Sequence, residues 1–358
     1  MRGRKDDPDE IKFIETIKRV APGTVLREAL EYIKAARTGA LIVIGDTDDV
    51  MRLKDGGFRF DRRLVPSHLY ELTKMDGAII LNEKADKILF ANATLTPDSH
   101  IYTSESGTRH RAAERVSKQT GKISIAVSQR RNTITLYIGR IKYILKDPVT
   151  LTAKATLALQ TLDKFQQAFI REMRDLTAME FRNVATISNI ALAIQRGEMI
   201  HRICDEVNRF IIELGKEGRL IAMQLNETLI DMNEEQLLIA DYVKLRKNLS
   251  LEAAHQQITE LSKAGKLNSN SISLALGLGH TSEKTGLATL LPKGYRLLQK
   301  LPNLPQPVIE QLVQNFGNLP SIMAATQEEM DKLPGIGDVR SRNIITGLNR
   351  LKEHYLSE

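Results

Sequence analysis

Two rhythms of apolar and polar positions run along this chain, and the switch between them divides it. From residue 9 to 147, stretches with apolar residues three or four apart alternate with short runs rich in β-branched and aromatic residues. The first kind, at 9–20, 24–37, 66–75 and 109–119, predicts helices. The second kind, at 40–44, 78–82, 87–91, 122–127, 132–138 and 140–146, predicts strands. The last two runs carry Thr133, Ile134, Thr135, Tyr137, Ile141, Tyr143 and Ile144, and sit close enough to form a hairpin. Interleaving of this kind predicts an α/β domain with a mixed sheet over 1–147.

The strand rhythm then stops. No proline occurs between Pro148 and Pro292, and Leu151, Ala155, Ala158, Leu162, Phe165 and Phe169 recur at helical spacing. An all-α middle domain over 148–285 is expected, serving as a spacer and packing unit, since it holds no catalytic constellation. Gly215-Lys216-Glu217-Gly218 would break or cap one of its helices. Gly, Ser, Asn and Lys accumulate over 264–285 and mark a looser connection, in which Gly277-Leu278-Gly279 lacks the strand–helix context of a nucleotide loop and reads as a turn.

The segment 286–358 contains an internal repeat. Lys300-Leu301-Pro302-Asn303-Leu304-Pro305 returns 32 residues later as Lys332-Leu333-Pro334-Gly335-Ile336-Gly337, and the same offset pairs Leu312 with Ile344, Val313 with Ile345 and Phe316 with Leu348. The pattern is that of a tandem helix–hairpin–helix domain. Gly335 and Gly337 permit a tight turn that offers amide N–H groups to a DNA phosphate. Arg340, Arg342, Arg350 and Lys352 follow as further phosphate contacts. The first copy, with Asn303 and Pro305, reads as its packing partner. From Ala288 onward eight Lys/Arg face seven Asp/Glu. The DNA expectation therefore rests on hairpin geometry rather than bulk charge, and a hairpin used only for packing is its rival.

Composition changes this picture little. The net charge of +7 over 358 residues is compatible with polyanionic partners, and 42% hydrophobic content suffices for two or three cores. The single Cys204 excludes an intramolecular disulfide and suits a reducing compartment. The longest apolar runs, such as Ala40–Ile44, are far too short to span a bilayer. Met1–Pro8 lacks the apolar core of a secretory signal and reads as a solvated tail. A cytosolic protein is expected. His68, His100, His201, His255, His280 and His354 are scattered without metal-ligand spacing, and P-loop, HExxH and hydrolase nucleophile motifs are absent.

Candidate chemistry gathers at Gly107-Thr108-Arg109-His110-Arg111, at a helix start with Thr108 as N-cap candidate. Cations are misplaced by about 0.3–1 kcal/mol at the positive end of a helix dipole, so two arginines and a histidine there point to a bound anion, and free amide N–H groups favour phosphate. Upstream, Asp76-Gly77-Ala78 sets a carboxylate at the entry to a buried-looking strand, followed by residues small enough for a ligand to approach. Such a carboxylate would hold a divalent metal or take a proton from an attacking hydroxyl.

The pairing of Asp76-Gly77-Ala78 with Gly107–Arg111 resembles the signature of the diadenylate cyclase family, which condenses two ATP into cyclic di-AMP and pyrophosphate. Leu69–Leu72, Ala91-Asn92 with Leu95 and Pro97-Asp98, Lys118–Gly121 and Ser128–Arg131 extend the likeness, and the downstream architecture extends it over the whole chain. The resemblance implies that Asp76 coordinates Mg²⁺ or Mn²⁺ and helps activate the 3′-hydroxyl, that Gly77 and Ala78 shape the nucleotide pocket, and that Leu95 lies near the adenine. It implies that Thr108, Arg109 and His110 hold phosphate oxygens, with Arg111 as a further ATP-binding residue of the motif or, alternatively, a brace for the loop, and Ser128 and Arg131 as further phosphate ligands. Asp76, Arg109 and His110 form its catalytic set. It implies a homo-octamer, branched DNA as ligand, and suppression of synthesis on DNA binding. Two positions depart from the family pattern. Ala112 stands where threonine is common, and Gln129 replaces a charged residue.

A two-fold symmetric product suggests two identical half-sites facing each other, so activity is expected to need at least a dimer. The rival reading is a catalytically silent DNA-structure-binding scaffold with ATP or cyclic di-AMP as effector. A nuclease would need clustered carboxylates that the sequence lacks.

Overall fold

A computed structural model describes residues 8–228, 234–245, 249–280 and 288–357. The expected tail up to Asp7 and residues 281–285 of the loose connection lie outside the described residues. Two compact units emerge: the chain up to Leu157 together with Val207–Gln224, and Ala158–Glu206 together with Leu225–Glu358.

The first unit runs α1 (Pro8–Arg19), α2 (Val25–Ala35), β1 (Ala40–Ile44), α3 (Asp48–Leu53), β2 (Lys54–Asp55), β3 (Phe58–Arg63), α4 (Pro66–Leu72), β4 (Ala78–Leu81), β5 (Lys87–Leu95), α5 (Thr108–Thr120), β6 (Ile123–Ser128), β7 (Thr133–Ile138) and β8 (Ile141–Ile144). The strands form one mixed sheet in the order β2-β5-β4-β1-β6-β7-β8, with β3 also paired to β5. β1 and β4 run parallel, and β1 is antiparallel to β6. Every residue of β1 is buried because both faces of the sheet are covered. Ala40, Ile42 and Ile44 pack with Leu26, Leu30 and Ile33 of α2, while Val43 meets Val116 and Leu41 meets Ala113, both on α5. Each such aliphatic side chain contributes about 1.5–3 kcal/mol on burial.

Four elements differ from the sequence pattern. α3 and the two-residue β2 are too short to show a period. β3, Phe58-Arg59-Phe60-Asp61-Arg62-Arg63, is a half-exposed strand whose charges hide its alternation. β5 continues past Ala91 to Leu95, because Asn92 at φ 54 absorbs a bulge instead of ending the strand.

Downstream the described residues are almost wholly helical: α6 (Pro148–Phe181), α7 (Ile187–Leu214), α8 (Arg219–Thr228), α9 (Glu234–Tyr242), α10 (Leu251–Lys263), α11 (Ser269–Ala275), α12 (Tyr295–Gln299), α13 (Gln306–Phe316), α14 (Leu319–Ala324), α15 (Gln327–Asp331) and α16 (Asp338–Ser357). The stripe on α6 is real, with Leu151, Ala155, Leu162 and Phe169 buried. Gly215–Gly218 forms a single 3₁₀ turn between α7 and α8. None of the described helices is long and apolar enough to cross a membrane.

A buried polar cluster that no local pattern announced joins α6, α9 and α12 in the second unit. Arg296 is paired with Glu180, both side chains wholly buried, and donates to Thr177 Oγ1 at 2.8 Å. Tyr242 Oη donates to Glu180 at 2.8 Å, and Asp241 accepts the backbone N–H groups of Gly294, Tyr295 and Arg296 at the start of α12. Burial, with Glu180 close by, pushes Asp241 up to about 7.

Candidate active site and hairpin interface

The mixed strand directions bring the sequence-predicted site residues to one end of the sheet. Ala78 at the start of β4 pairs with Ala93 near the end of β5, and Ala40 at the start of β1 pairs with Val127 near the end of β6. Asp76 and Gly77 thus enter where Leu95 and Ser128 leave, beside the amino end of α5. Gly77 has φ 93, and a Cβ there would lie 2.9 Å from the carbonyl oxygen of Ala93 and from the carbonyl carbon of Asn92. Only glycine lets the chain bearing Asp76 cross so close to β5. Asp76 itself is fully exposed, with Arg109 Nη2 4.0 Å from its Oδ1. Arg109 lies flat against Gly39, where an added Cβ would sit 2.6 Å from Nη1.

The cap of α5 needs correction. Gly107, not Thr108, is the N-cap, and it has no side chain to bond the first amides. Thr108 is the first helical residue and is exposed, beside the N–H groups of the first turn that have no intrahelical partner. This end of the helix gathers cations and lacks a capping oxygen. The helix terminates at Gly121 in the left-handed region (φ 67), its N–H bonded to Ser117 O.

α5 also anchors the loop from Thr96 to Gly107. Arg115 donates to the carbonyls of Ser99 and Ile101, Lys118 to that of Tyr102, and Gln119 accepts the N–H of Asp98. Lys118, Gln119 and Asp98 belong to the extended family likeness, and bracing this loop is their visible work. Ser128 Oγ accepts the N–H of Arg131 at 3.2 Å and closes the turn into β7. Leu95 is the last residue of β5 and packs its side chain into the small clusters under α3 and α5. Arg111 is exposed and Ala112 half-buried.

Sequence reasoning missed three residues behind His110. Its Nδ1 is 2.9 Å from Tyr137 Oη, which lies 2.9 Å from Glu105 Oε1, and Glu105 is paired with Lys142. Tyr137 was legible only as a strand aromatic, although a buried phenol needs a partner for its hydroxyl.

A metal fit can be judged from the donors. No three His, Cys, Asp or Glu side chains converge among the described residues. One exposed carboxylate, Asp76, with the Arg109 guanidinium 4.0 Å away, fits a divalent ion that takes its other ligands from a nucleotide's phosphates, which is how such ions are commonly held.

In the second unit the repeat is realised in full. α12 and α13 recur 32 residues later as α15 and α16, and Asn303 (φ 59) occupies the left-handed position that Gly335 (φ 79) takes in the second copy. Gly335 and Gly337 are exposed, and space beside Gly337 is open. Arg342, Arg350 and Lys352 are exposed, whereas Arg340 turns back to donate to Gly335 O and so braces the hairpin.

The matching family models and sequence relatives agree with this layout. The family model described as DisA bacterial checkpoint controller nucleotide-binding matches residues 27–141, and the one described as DisA bacterial checkpoint controller linker region matches 145–285. A DNA integrity scanning protein DisA from Clostridium botulinum is 46% identical over 357 residues, covering 99% of both chains. Another from Acetivibrio thermocellus is 45% identical over 350 residues, 98% of this chain and 96% of that one. A crystal structure of DacA from Staphylococcus aureus is 25% identical over 39% of this chain and 91% of that one, with a TM-score of 0.28. Fold and site define a protein with an α/β nucleotide-binding domain, a helical linker and a helical C-terminal part. The chain belongs to the DisA family of bacterial checkpoint controllers.

Proposed function

We propose that this chain is a diadenylate cyclase coupled to DNA sensing, with a catalytic domain over 1–147, a helical oligomerisation linker over 148–285 and a DNA-binding domain over 286–358. The observation that carries the reading is the approach of Arg109 to Asp76 at an uncapped helix start, inside the segment that matches the nucleotide-binding model.

Two ATP are condensed into cyclic di-AMP, each 3′-hydroxyl attacking the other nucleotide's α-phosphate with loss of pyrophosphate. Thr108, Arg109, His110, Ser128 and Arg131 hold phosphate oxygens, Gly77 and Ala78 leave room for the nucleotide, and Leu95 borders the adenine. Mg²⁺ or Mn²⁺, held by Asp76, neutralises phosphate charge when bound. Arg111, exposed and next to His110 in the chain, is a further ATP contact, and His110 also belongs to the catalytic set with Asp76 and Arg109. Most of the acceleration comes from orientation and charge neutralisation. One chain offers one carboxylate and one set of cations, so the N-terminal domains of two chains face each other across a two-fold axis and activity needs at least a dimer. Within the family's resemblance the assembly is an octamer.

At the other end, Gly335 and Gly337 offer amides, and Arg342, Arg350 and Lys352 offer charge, to the phosphates of branched DNA. DNA binding lowers synthesis. The protein works in the cytoplasm, associated with DNA.

Incubation of wild type and Asp76→Asn with ATP and either metal, with products resolved by mass, tests the reading. Cyclic di-AMP from wild type and none from the variant is expected. ATP binding without product under both metals would favour a DNA-binding scaffold that uses nucleotide only as an effector.

A further inference from the structure

The groups behind His110 determine which of its ring nitrogens carries hydrogen. Burial pushes Glu105 up, but Lys142 and Tyr137 outweigh it and leave the carboxyl below its ordinary range. Ionised, it can only accept hydrogen bonds. The single hydrogen of Tyr137 therefore points to Glu105, and burial together with that bond pushes the phenol well up, so it keeps its proton. The phenol oxygen is left to accept, and Nδ1 of His110, 2.9 Å away, must be the donor.

Burial also holds His110 below its ordinary range. The Glu105 charge opposes this, and Lys142 from β8 and Arg131 from the β6–β7 turn reinforce it. Arg109 and Arg111 flank it on its own helix. At neutral pH the ring then has one hydrogen, on Nδ1, and a bare lone pair on Nε2. Such a nitrogen cannot donate to a phosphate oxygen. It can take a proton.

We propose that His110 accepts the proton of the attacking 3′-hydroxyl, and that Tyr137 and Glu105 are positioning residues that hold its ring in the only tautomer able to do so. The inference rests on the cyclase reading above and reassigns His110 from phosphate ligand to base. In each half-reaction the O–H bond of the 3′-hydroxyl breaks and its proton goes to Nε2. The oxygen forms its bond to the α-phosphorus, and the bond from that phosphorus to the bridging oxygen breaks, its electron pair leaving on pyrophosphate. The imidazolium, facing Glu105 through the phenol, returns its proton to solvent. The arrangement follows the logic of a base oriented by a buried carboxylate, with a phenol interposed.

The test compares pH–rate profiles of cyclic di-AMP formation, and affinity for 3′-deoxy-ATP, among wild type, Tyr137→Phe and Glu105→Gln. 3′-Deoxy-ATP binds without a hydroxyl to deprotonate, so it reports phosphate contacts alone. For Tyr137→Phe, kcat should fall about 10-fold or more while 3′-deoxy-ATP affinity stays within about 2-fold. For Glu105→Gln, loss of the negative charge should lower His110 further and move the acid limb of kcat to lower pH. An unchanged kcat in Tyr137→Phe, or an acid limb that stays or moves up in Glu105→Gln, overturns the inference and leaves the cyclase standing. So does a loss confined to 3′-deoxy-ATP affinity, which would make His110 a phosphate ligand. Absence of cyclic product from wild type overturns both.

Discussion

Gly77 and Gly39 are the residues whose smallness the site cannot spare, for different reasons. At Gly77 a methyl group would meet the backbone of β5, which has nowhere to go, in a left-handed conformation. Gly77→Ala should therefore destabilise the fold by about 1–3 kcal/mol and lower the urea midpoint. At Gly39 the obstacle is the movable tip of Arg109. Gly39→Ala should leave the urea midpoint almost unchanged and raise KM for ATP, because the guanidinium is displaced from Asp76. Glu105 gives the residue scale its pH dependence. A carboxyl held below its ordinary value by folding stabilises the fold above that ordinary value, and this contribution is lost as pH falls through the depressed one. The loop that carries Glu105 should accordingly become protease-sensitive on acidification before the rest of the domain, and Glu105→Gln should remove that pH dependence. Cys204, by contrast, is buried with its thiol pushed up to about 12, and should resist thiol reagents until the protein unfolds.

At the scale of elements, sequence legibility depended on how local each signal was. The helices 24–37 and 109–119, the strands 40–44 and 122–127, and the repeat were readable because their periodicity lies within a few residues. β3 was hidden because its arginines face solvent on a strand only half covered. The extension of β5 through Asn92 was hidden because a bulge looks like a turn. Arg109 was legible as a cation at the wrong end of a helix and Asp76 as a carboxylate at a strand entry followed by small residues, whereas Tyr137, Glu105 and Lys142 came together only through the tertiary fold. The Arg296 cluster is the same kind of fact, built from α6, α9 and α12. Arg296→Met should strand Glu180 without its partner and cost about 3–5 kcal/mol. Arg296→Met with Glu180→Leu should regain much of that in thermal unfolding, since a matched apolar pair replaces a costly ionic one. In the hairpins, Asn303 already takes the left-handed conformation, so Asn303→Gly should be tolerated. Gly335→Val should weaken DNA binding, and Arg342→Ala should flatten the salt dependence of DNA affinity by a slope of about 1, where each phosphate contact counts roughly that much.

For the whole molecule, the proposed chemistry and the proposed DNA contact fall in separate compact units, so each can be probed with the other intact. A chain with Asp76→Asn should still bind DNA, and one with Arg342→Ala should still turn over ATP. Mixing Asp76→Asn subunits with wild type should lower activity more than dilution does, because a half-site lacking its carboxylate spoils the one facing it. The proposed chemistry joins two separate ATP molecules into one ring. The most direct measurement is a reaction on equal amounts of ordinary and uniformly ¹³C-labelled ATP, with products weighed by mass spectrometry. Cyclic di-AMP in the statistical mixture, the half-labelled species twice as abundant as either pure one, is the expected result. Unreacted ATP, or only ADP and AMP, under both Mg²⁺ and Mn²⁺ would contradict it.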